Sequence, residues 1–291
     1  MTLSSTHRLA WDGLSFDIPL DWDLAYQETR LGITRIRLED PVAVRLSAEW
    51  MTPAGKLDLG RIMARFQSSS KKLRAASKDS ETLSALPPGW SAVLFRFPDD
   101  RRLGLAFFLA PKSEIFAFFQ IHLDPGSPGE AAGLLRRFIA SFQRHTHGPV
   151  PWACYDVAFT VPAGFHLASA EFNPGLKRFT FERSLRRLHV WHVSLADMVL
   201  KREQGVREWA VKRLNASPLV RGPEFAIRNG AIAATRPRLM PWCHFMEIVR
   251  GCLLYKVGVK HDTANNRLVL VAYHYRFESD LAWLAGTDLP V

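Results

Sequence analysis

Cysteine is scarce in this chain: Cys154, Cys243 and Cys252 are the only three in 291 residues, and no two form a C-x-x-C pair. An odd, sparse set argues against a disulfide framework and for a reducing compartment, with buried free thiols expected and a Cys243–Cys252 bridge as the alternative. Long apolar runs are missing too, so no transmembrane segment of roughly 20 residues is expected. The first sixteen residues, MTLSSTHRLAWDGLSF, lack a basic stretch followed by an apolar one, so a cytoplasmic location is expected. No G-x-x-x-x-G-K-[ST] is present, and no G-x-G-x-x-G stands between a strand and a helix, which removes the usual phosphate cradles. The nucleophile elbow G-x-S-x-G is also absent. No catalytic residue, cofactor or metal is therefore predicted.

What is present is a folded composition, 47% hydrophobic and 23% charged, with a formal charge of +10 that is unevenly shared. Residues 1–150 hold 19 basic and 16 acidic side chains, residues 151–291 hold 19 and 12, so the excess is +3 and +7. A basic second half calls for an acidic partner, which can be a protein, nucleic acid or an anionic surface; the alternative is a merely solvated Arg-rich face.

The chain also repeats. The stretch from Trp11 to Asp40 reads as a strand, a proline corner, a polar turn and a second strand, and a weaker copy begins at Trp152. Aligning Pro19 with Pro162 gives an offset of 143, and without a gap Phe16 meets Phe159, Ile18 meets Val161, Trp22 meets Phe165 and Leu24 meets Leu167. Gly32 then meets Gly175, Arg35 meets Arg178 and Glu39 meets Glu182. Two domains are predicted, 1–147 and 148–291, joined by the short linker around QRHTHGPVP.

Residues 1–10 read as a frayed lead. Period-2 alternation predicts strands at 14–18, 33–39 and 42–50, then at 91–97, 103–110 and 115–123. Helices are predicted over 59–73 and, from the Ser127, Pro128 and Glu130 start signal, over 128–143. The second half is read as strands at 156–161, 177–182, 188–194, 232–236, 243–249, 253–260 and 267–275. Helices there are expected at 205–215 and, capped by Ser279, through Leu284, while Asn229-Gly230 marks a tight turn.

Each half thus reads β-β-β-α-β-β-β-α and opens with F-x-[IV]-P-x-x-[WF]-x-L, carried by Phe16, Ile18, Pro19, Trp22 and Leu24 and by Phe159, Val161, Pro162, Phe165 and Leu167. This order and signature resemble the Mog1/PsbP-like fold over nearly the whole chain. The resemblance implies an α+β protein of two tandem antiparallel β-sheet/α sandwich domains, an intramolecular pseudo-dimer. It also implies a mostly non-catalytic role: members include a Ran-binding import factor, a photosystem II subunit, envelope lipoproteins and cytosolic chaperones for type VI secretion effectors.

Two groups of residues are predicted to bind. Lys177, Arg178, Arg183, Arg186 and Arg187 cluster around one strand turn and form the basic surface. Phe107, Phe116 and Phe118, with Leu105 and Leu109, exceed what one covered sheet face needs and form a groove for an apolar partner helix or for the sister domain, packing of the two repeats on each other being the alternative. The expected function is a protein-binding adaptor or chaperone using this groove, its basic residues steering an acidic client. The alternatives are nucleic-acid binding through the second half and a metal- or thiol-dependent enzyme built from Cys243, His244, Cys252, His261 and His274. His189 and His192 alternate on a strand and point to opposite faces, and Trp191 and Trp209 belong to the core. The carboxylates of Asp12, Asp17, Asp21 and Asp23 are expected to ring one end of the first hairpin. Arg35 with Glu39 and Arg178 with Glu182 are expected as ion pairs.

Overall fold

The computed structural model describes residues 5–53, 55, 58, 60–62, 80–97, 101–123, 128–203, 205–217, 220, 224–235 and 254–290. The chain divides into two compact units, Met1–His145 with Ala153–Asp156, and Thr146–Trp152 with Val157–Val291. Both are built mostly of antiparallel sheet with a few helices, an α+β architecture.

In the first unit, β1 (Thr6–Trp11) and β2 (Leu14–Pro19) form a hairpin. Its turn, Asp12-Gly13, has positive φ at both residues, which matches the right-handed twist of the flanking strands. The expected frayed lead is therefore a strand. Its polar start hides the alternation, yet Leu9, Ala10 and Trp11 are all buried. The meander β3 (Asp23–Arg30), β4 (Ile33–Glu39) and β5 (Val44–Met51) follows. Together with β6 (Ser80–Thr82), β7 (Trp90–Arg96), β8 (Arg102–Leu109) and β9 (Phe116–Leu123) it makes a seven-stranded sheet in the order β3-β4-β5-β9-β8-β7-β6. The expected polar turn after Pro19 is β3 itself. As an edge strand it buries little beyond Leu24, so its sequence, DLAYQETR, carries no apolar stripe.

Helix α1 (Pro128–Ser141) lies on one face of that sheet. Leu135, Phe138 and Ile139 are buried there, and Gly104 on β8 leaves room for Leu135, whose Cδ2 would be 3.1 Å from an added Cβ. Phe16 of the opening signature wedges between sheet and helix, its ring 5.7 Å from Phe119 and 4.9 Å from Phe138. Behind α1 a two-residue strand, β10 (Gln143–Arg144), returns along β2. The helix expected over 59–73 and the cap at Ser127 fall outside the described residues, apart from 60–62.

The chain then repeats its opening. β11 (Val150–Cys154) and β12 (Val157–Val161) flank Tyr155-Asp156, and β13 (His166–Asn173), β14 (Leu176–Arg183) and β15 (Arg186–Ser194) form a second meander. The duplication reaches the hydrogen-bond register. Glu28 faces Arg35 and Glu171 faces Arg178; a bulge falls between Leu24 and Tyr26 and again between Leu167 and Ser169, 143 residues on. Gly32 and Gly175 both have positive φ at the β3–β4 and β13–β14 turns, which explains why glycine recurs there.

Two short helices come next, α2 (Ala196–Leu200) and α3 (Val206–Asn215). The hairpin of β16 (Glu224–Arg228) and β17 (Ala231–Thr235) turns at Asn229-Gly230, both at positive φ. With β18 (Leu254–Asp262) and β19 (Arg267–Tyr275), the second sheet runs β13-β14-β15-β19-β18. The first five strands of the first sheet, counted from its β3 edge as β3-β4-β5-β9-β8, have the same order. Trp191, Leu268 and Leu270 on one face of this sheet pack with Trp209, Ala210 and Leu214 of α3 and with Phe225. Both tryptophans are thus core residues. The last element, Glu278–Leu284, is a 3-10 helix rather than an α-helix, and its cap is not Ser279: Asp280 accepts from the N–H groups of Arg276 and Phe277 at 3.0 Å each. Among the described residues, no helix is long and apolar enough to cross a membrane.

Candidate binding surface

The basic cluster of the second unit is drawn together by the β14–β15 hairpin, but its charges are engaged within the unit. Arg178 pairs with Glu171 across the β13–β14 ladder, and Arg187 pairs with Glu182. Arg186 forks onto Asp280, Nε to Oδ2 at 3.0 Å and Nη2 to Oδ1 at 3.1 Å. Arg183 donates to the Ala163 carbonyl at 3.0 Å and lies 3.9 Å over the indole of Trp283. Lys177 stands opposite His192 in the β14–β15 ladder. Burial of the Asp280 carboxyl raises its pKa, but the Arg186 bond and the two N–H donors outweigh it, and the group sits below the ordinary carboxylate range.

Neither expected i,i+4 ion pair forms. Residues four apart on a strand are about 13 Å apart, too far for contact. Arg35 instead meets Glu28 at 3.7 Å and Glu49 at 3.2 Å on the neighbouring strands.

The groups able to perform chemistry also have structural partners. Ser15 Oγ lies 2.7 Å from His145 Nε2, but Arg8 donates to the same oxygen at 2.7 Å and Ser15 is only 1% exposed. That network fixes β10 to the hairpin; no substrate can reach the hydroxyl. Thr180 Oγ1 and His189 Nδ1 are 3.1 Å apart, and His192 stacks on Phe159 at 5.3 Å. Burial pushes the Tyr155 hydroxyl up to about 12, and it donates to the Leu24 carbonyl. Two further acid–Arg pairs are part-buried, Asp40 with Arg45 at 2.5 Å beyond the end of β4, and Glu182 with Arg187 across the β14–β15 ladder. His122 is held below its ordinary pKa by burial and by the charges of Arg45 and Arg101.

The four aspartates do not ring one end: Asp12 accepts from Thr34 Oγ1, whereas Asp17 holds Arg8 at 2.9 Å near the other end of the hairpin. No group of three or more His, Cys, Asp or Glu among the described residues is arranged to hold a metal. Cys243, His244 and Cys252 lie outside the described residues, and Cys154 is a buried free thiol.

The aromatic group gives a different picture. Phe107 is buried in a cluster with Val93, Phe95, Leu103 and Leu105. Phe116 and Phe118 are only half-buried at its border, with the Phe118 ring 5.0 Å from Phe107. Register extends this face outward from the aromatic strip. Phe118 is opposite Glu49 and Glu49 opposite Arg35, while Gln120 is opposite Ser47, Ser47 opposite Arg37 and Arg37 opposite Tyr26. Tyr26 and Arg37 are exposed, and the Arg37 guanidinium lies 5.6 Å over the Tyr26 ring. Among the described residues Arg37 has no ion pair. Period-2 alternation over 33–39 puts Arg35 and Arg37 on one strand face, but Tyr26 is hidden from the sequence because β3 reads as a turn. The available signal was the alternation of Leu24 with polar residues directly after the repeated proline corner.

No protein-family model matches the chain, and no curated protein matches it.

Proposed function

We propose that the protein is a non-catalytic binding module, an adaptor or chaperone that engages a protein partner through the β3-β4-β5-β9 face of its first unit. One observation carries this reading. Arg37, exposed and without an ion pair among the described residues, lies over Tyr26 on the same face as the half-buried Phe116 and Phe118. Tyr, Phe and Arg are the side chains that concentrate binding energy at protein interfaces, because they combine large apolar area with a polar or charged tip. A partner segment bearing apolar side chains beside a carboxylate is complementary to it.

The expected groove is thereby narrowed: Phe107 forms its floor, and its basic rim is Arg37, beside an Arg35 that pairs with Glu28 and Glu49, rather than the arginines of the second unit. The resemblance to tandem Mog1/PsbP-like domains supports the same reading, as does the lack of a phosphate cradle or nucleophile elbow. The reading has the protein acting in the cytoplasm, where scarce cysteines stay reduced.

The test is capture from native lysate with the wild-type chain and with a Tyr26→Ala/Arg37→Glu variant. A stoichiometric protein partner lost from the variant supports the proposal. Nucleic acid recovered with no protein, or a partner retained unchanged, contradicts it.

A further inference from the structure

The unpaired cations of the second unit gather at one end of it. Residues 195–235 hold seven basic and four acidic side chains, which is +3 of the +7 carried by residues 151–291. Glu203 is taken up by Lys212 at 2.6 Å. Lys201, Arg202, Arg207 and Arg228 are exposed and have no ion pair among the described residues. The exposed carboxylates beside them are Asp197 and Glu208, so cations are in excess, and Asp262 is bonded within its own turn by Asn265 at 2.8 Å.

Topology brings the four cations together. At the end of α3 the Asn215 side chain bonds the N–H and the carbonyl of Phe225, at 2.8 and 3.0 Å. At its start, Arg207 Nη1 would lie 4.0 Å from a Cβ added to Gly230. The β16–β17 hairpin therefore runs back along α3 and sets its tip, with Arg228, beside the first turn. Lys201 and Arg202 close α2 shortly before that turn.

The same end exposes aliphatic side chains. α2 buries Ala196 and packs Val199 and Leu200 against the core, so Met198 faces outward and is 63% exposed. Leu195 before it is 56% exposed, and Ile227 near the hairpin tip is 38% exposed. Leu195 is also left-handed, at φ +58° and ψ +48°, a conformation unfavourable for leucine. Asn266 holds it there, accepting from the Ala196 N–H on its carbonyl at 3.0 Å and from the Asp197 N–H on Oδ1 at 2.8 Å. Glycine would relieve the strain and a polar residue would avoid the exposure, so a leucine here serves neither the turn nor the core.

Charge alone would suit nucleic acid equally, and the neighbouring side chains decide between the two. The rings of α3 and β16, Trp209 and Phe225, are buried, so bases find no stacking platform beside these cations. Exposed aliphatic groups next to Lys and Arg match an anionic bilayer surface, where the apolar groups enter the acyl boundary and the cations meet the headgroups.

We infer that this end of the second unit is a peripheral binding site for an anionic lipid surface, with Leu195 and Met198 inserted and Lys201, Arg202, Arg207 and Arg228 on the headgroups. The inference does not depend on the protein partner proposed above.

Sedimentation of the full chain with vesicles of phosphatidylcholine alone, and of an equimolar mixture with phosphatidylserine, tests it. The wild type should bind the mixed vesicles and not the neutral ones. Lys201→Ala/Arg202→Ala should weaken that binding about thirtyfold, or about fivefold per cation. Leu195→Gly/Met198→Gln should weaken it by about tenfold or more. This second variant should melt at the wild-type temperature or higher, because glycine relieves the left-handed strain and glutamine keeps the helix propensity of methionine. No binding to either vesicle, equal binding to both, binding unchanged in either variant, or a lowered melting temperature for the second variant overturns the inference. Tighter binding of a single-stranded oligonucleotide than of the mixed vesicles overturns it as well.

Discussion

Arg186 and Asp280 show what a single pair does in this molecule. Their side chains are 15% and 5% exposed, and the carboxylate takes two bonds from the guanidinium and two from backbone N–H groups. Removing one partner leaves a buried charge unpaired, so Asp280→Ala should cost about 3–5 kcal/mol in urea unfolding. Arg178–Glu171 is different in that Glu171 is 49% exposed, so Glu171→Ala should cost less than Asp280→Ala, although Arg178 is itself only 15% exposed.

The pH dependence follows from the same contacts. At Asp280 burial opposes ionisation, but the Arg186 bond and the N–H donors prevail. At Asp40 burial likewise opposes it, and the Ala43 and Val42 N–H groups with Arg45 prevail. Both carboxyls have folded pKa values below their unfolded ones. The stability they contribute is fully present above the ordinary aspartate range near 3.9 and is lost as pH falls through the lower folded values. Unfolding free energy measured from pH 6 to pH 2 should therefore decline below about pH 4, and Asp280→Asn should flatten that decline.

At the scale of elements, the sequence was most readable where strands bury one clean face. In β4, Thr34, Ile36 and Leu38 are buried while Arg35 and Arg37 are not, and the alternation is plain. It was least readable at edges. β3 and β13 lie at sheet edges and bury little, so nothing in their composition separates them from turns. Register was hidden for a related reason: cross-strand partners such as Glu28 and Arg35 depend on bulges and turn lengths, not on spacing along one strand. The candidate site suffered most, because the pairing that engages Arg186 comes from Asp280, 94 residues away. Turns offer a sharper test. Gly89 has φ +84°, and an added Cβ would be 2.6 Å from the Leu109 carbonyl oxygen; the Leu109 N–H donates to Gly89 O at 2.9 Å and ties the turn to β8. Gly89→Ala should lower stability by about 1–3 kcal/mol, read as a fall in melting temperature.

For the whole molecule, a charge of +10 reads differently once partners are assigned. The second unit holds the larger excess, yet Arg178, Arg183, Arg186 and Arg187 serve the fold, and an exposed cation lies over an exposed ring in each unit, Arg37 on Tyr26 in the first and Arg276 on Phe277 in the second. Net charge steers encounters; where binding occurs is set by which charges remain unpaired. The measurement that bears most directly on this account is capture from native lysate, quantified by mass spectrometry, for the wild type, Tyr26→Ala/Arg37→Glu, and a Lys177→Ala/Arg178→Ala control in the second unit. The account predicts one protein partner at stoichiometric yield, lost from the first variant and kept by the control. A partner lost only from the control, or recovery of nucleic acid without protein, would contradict it.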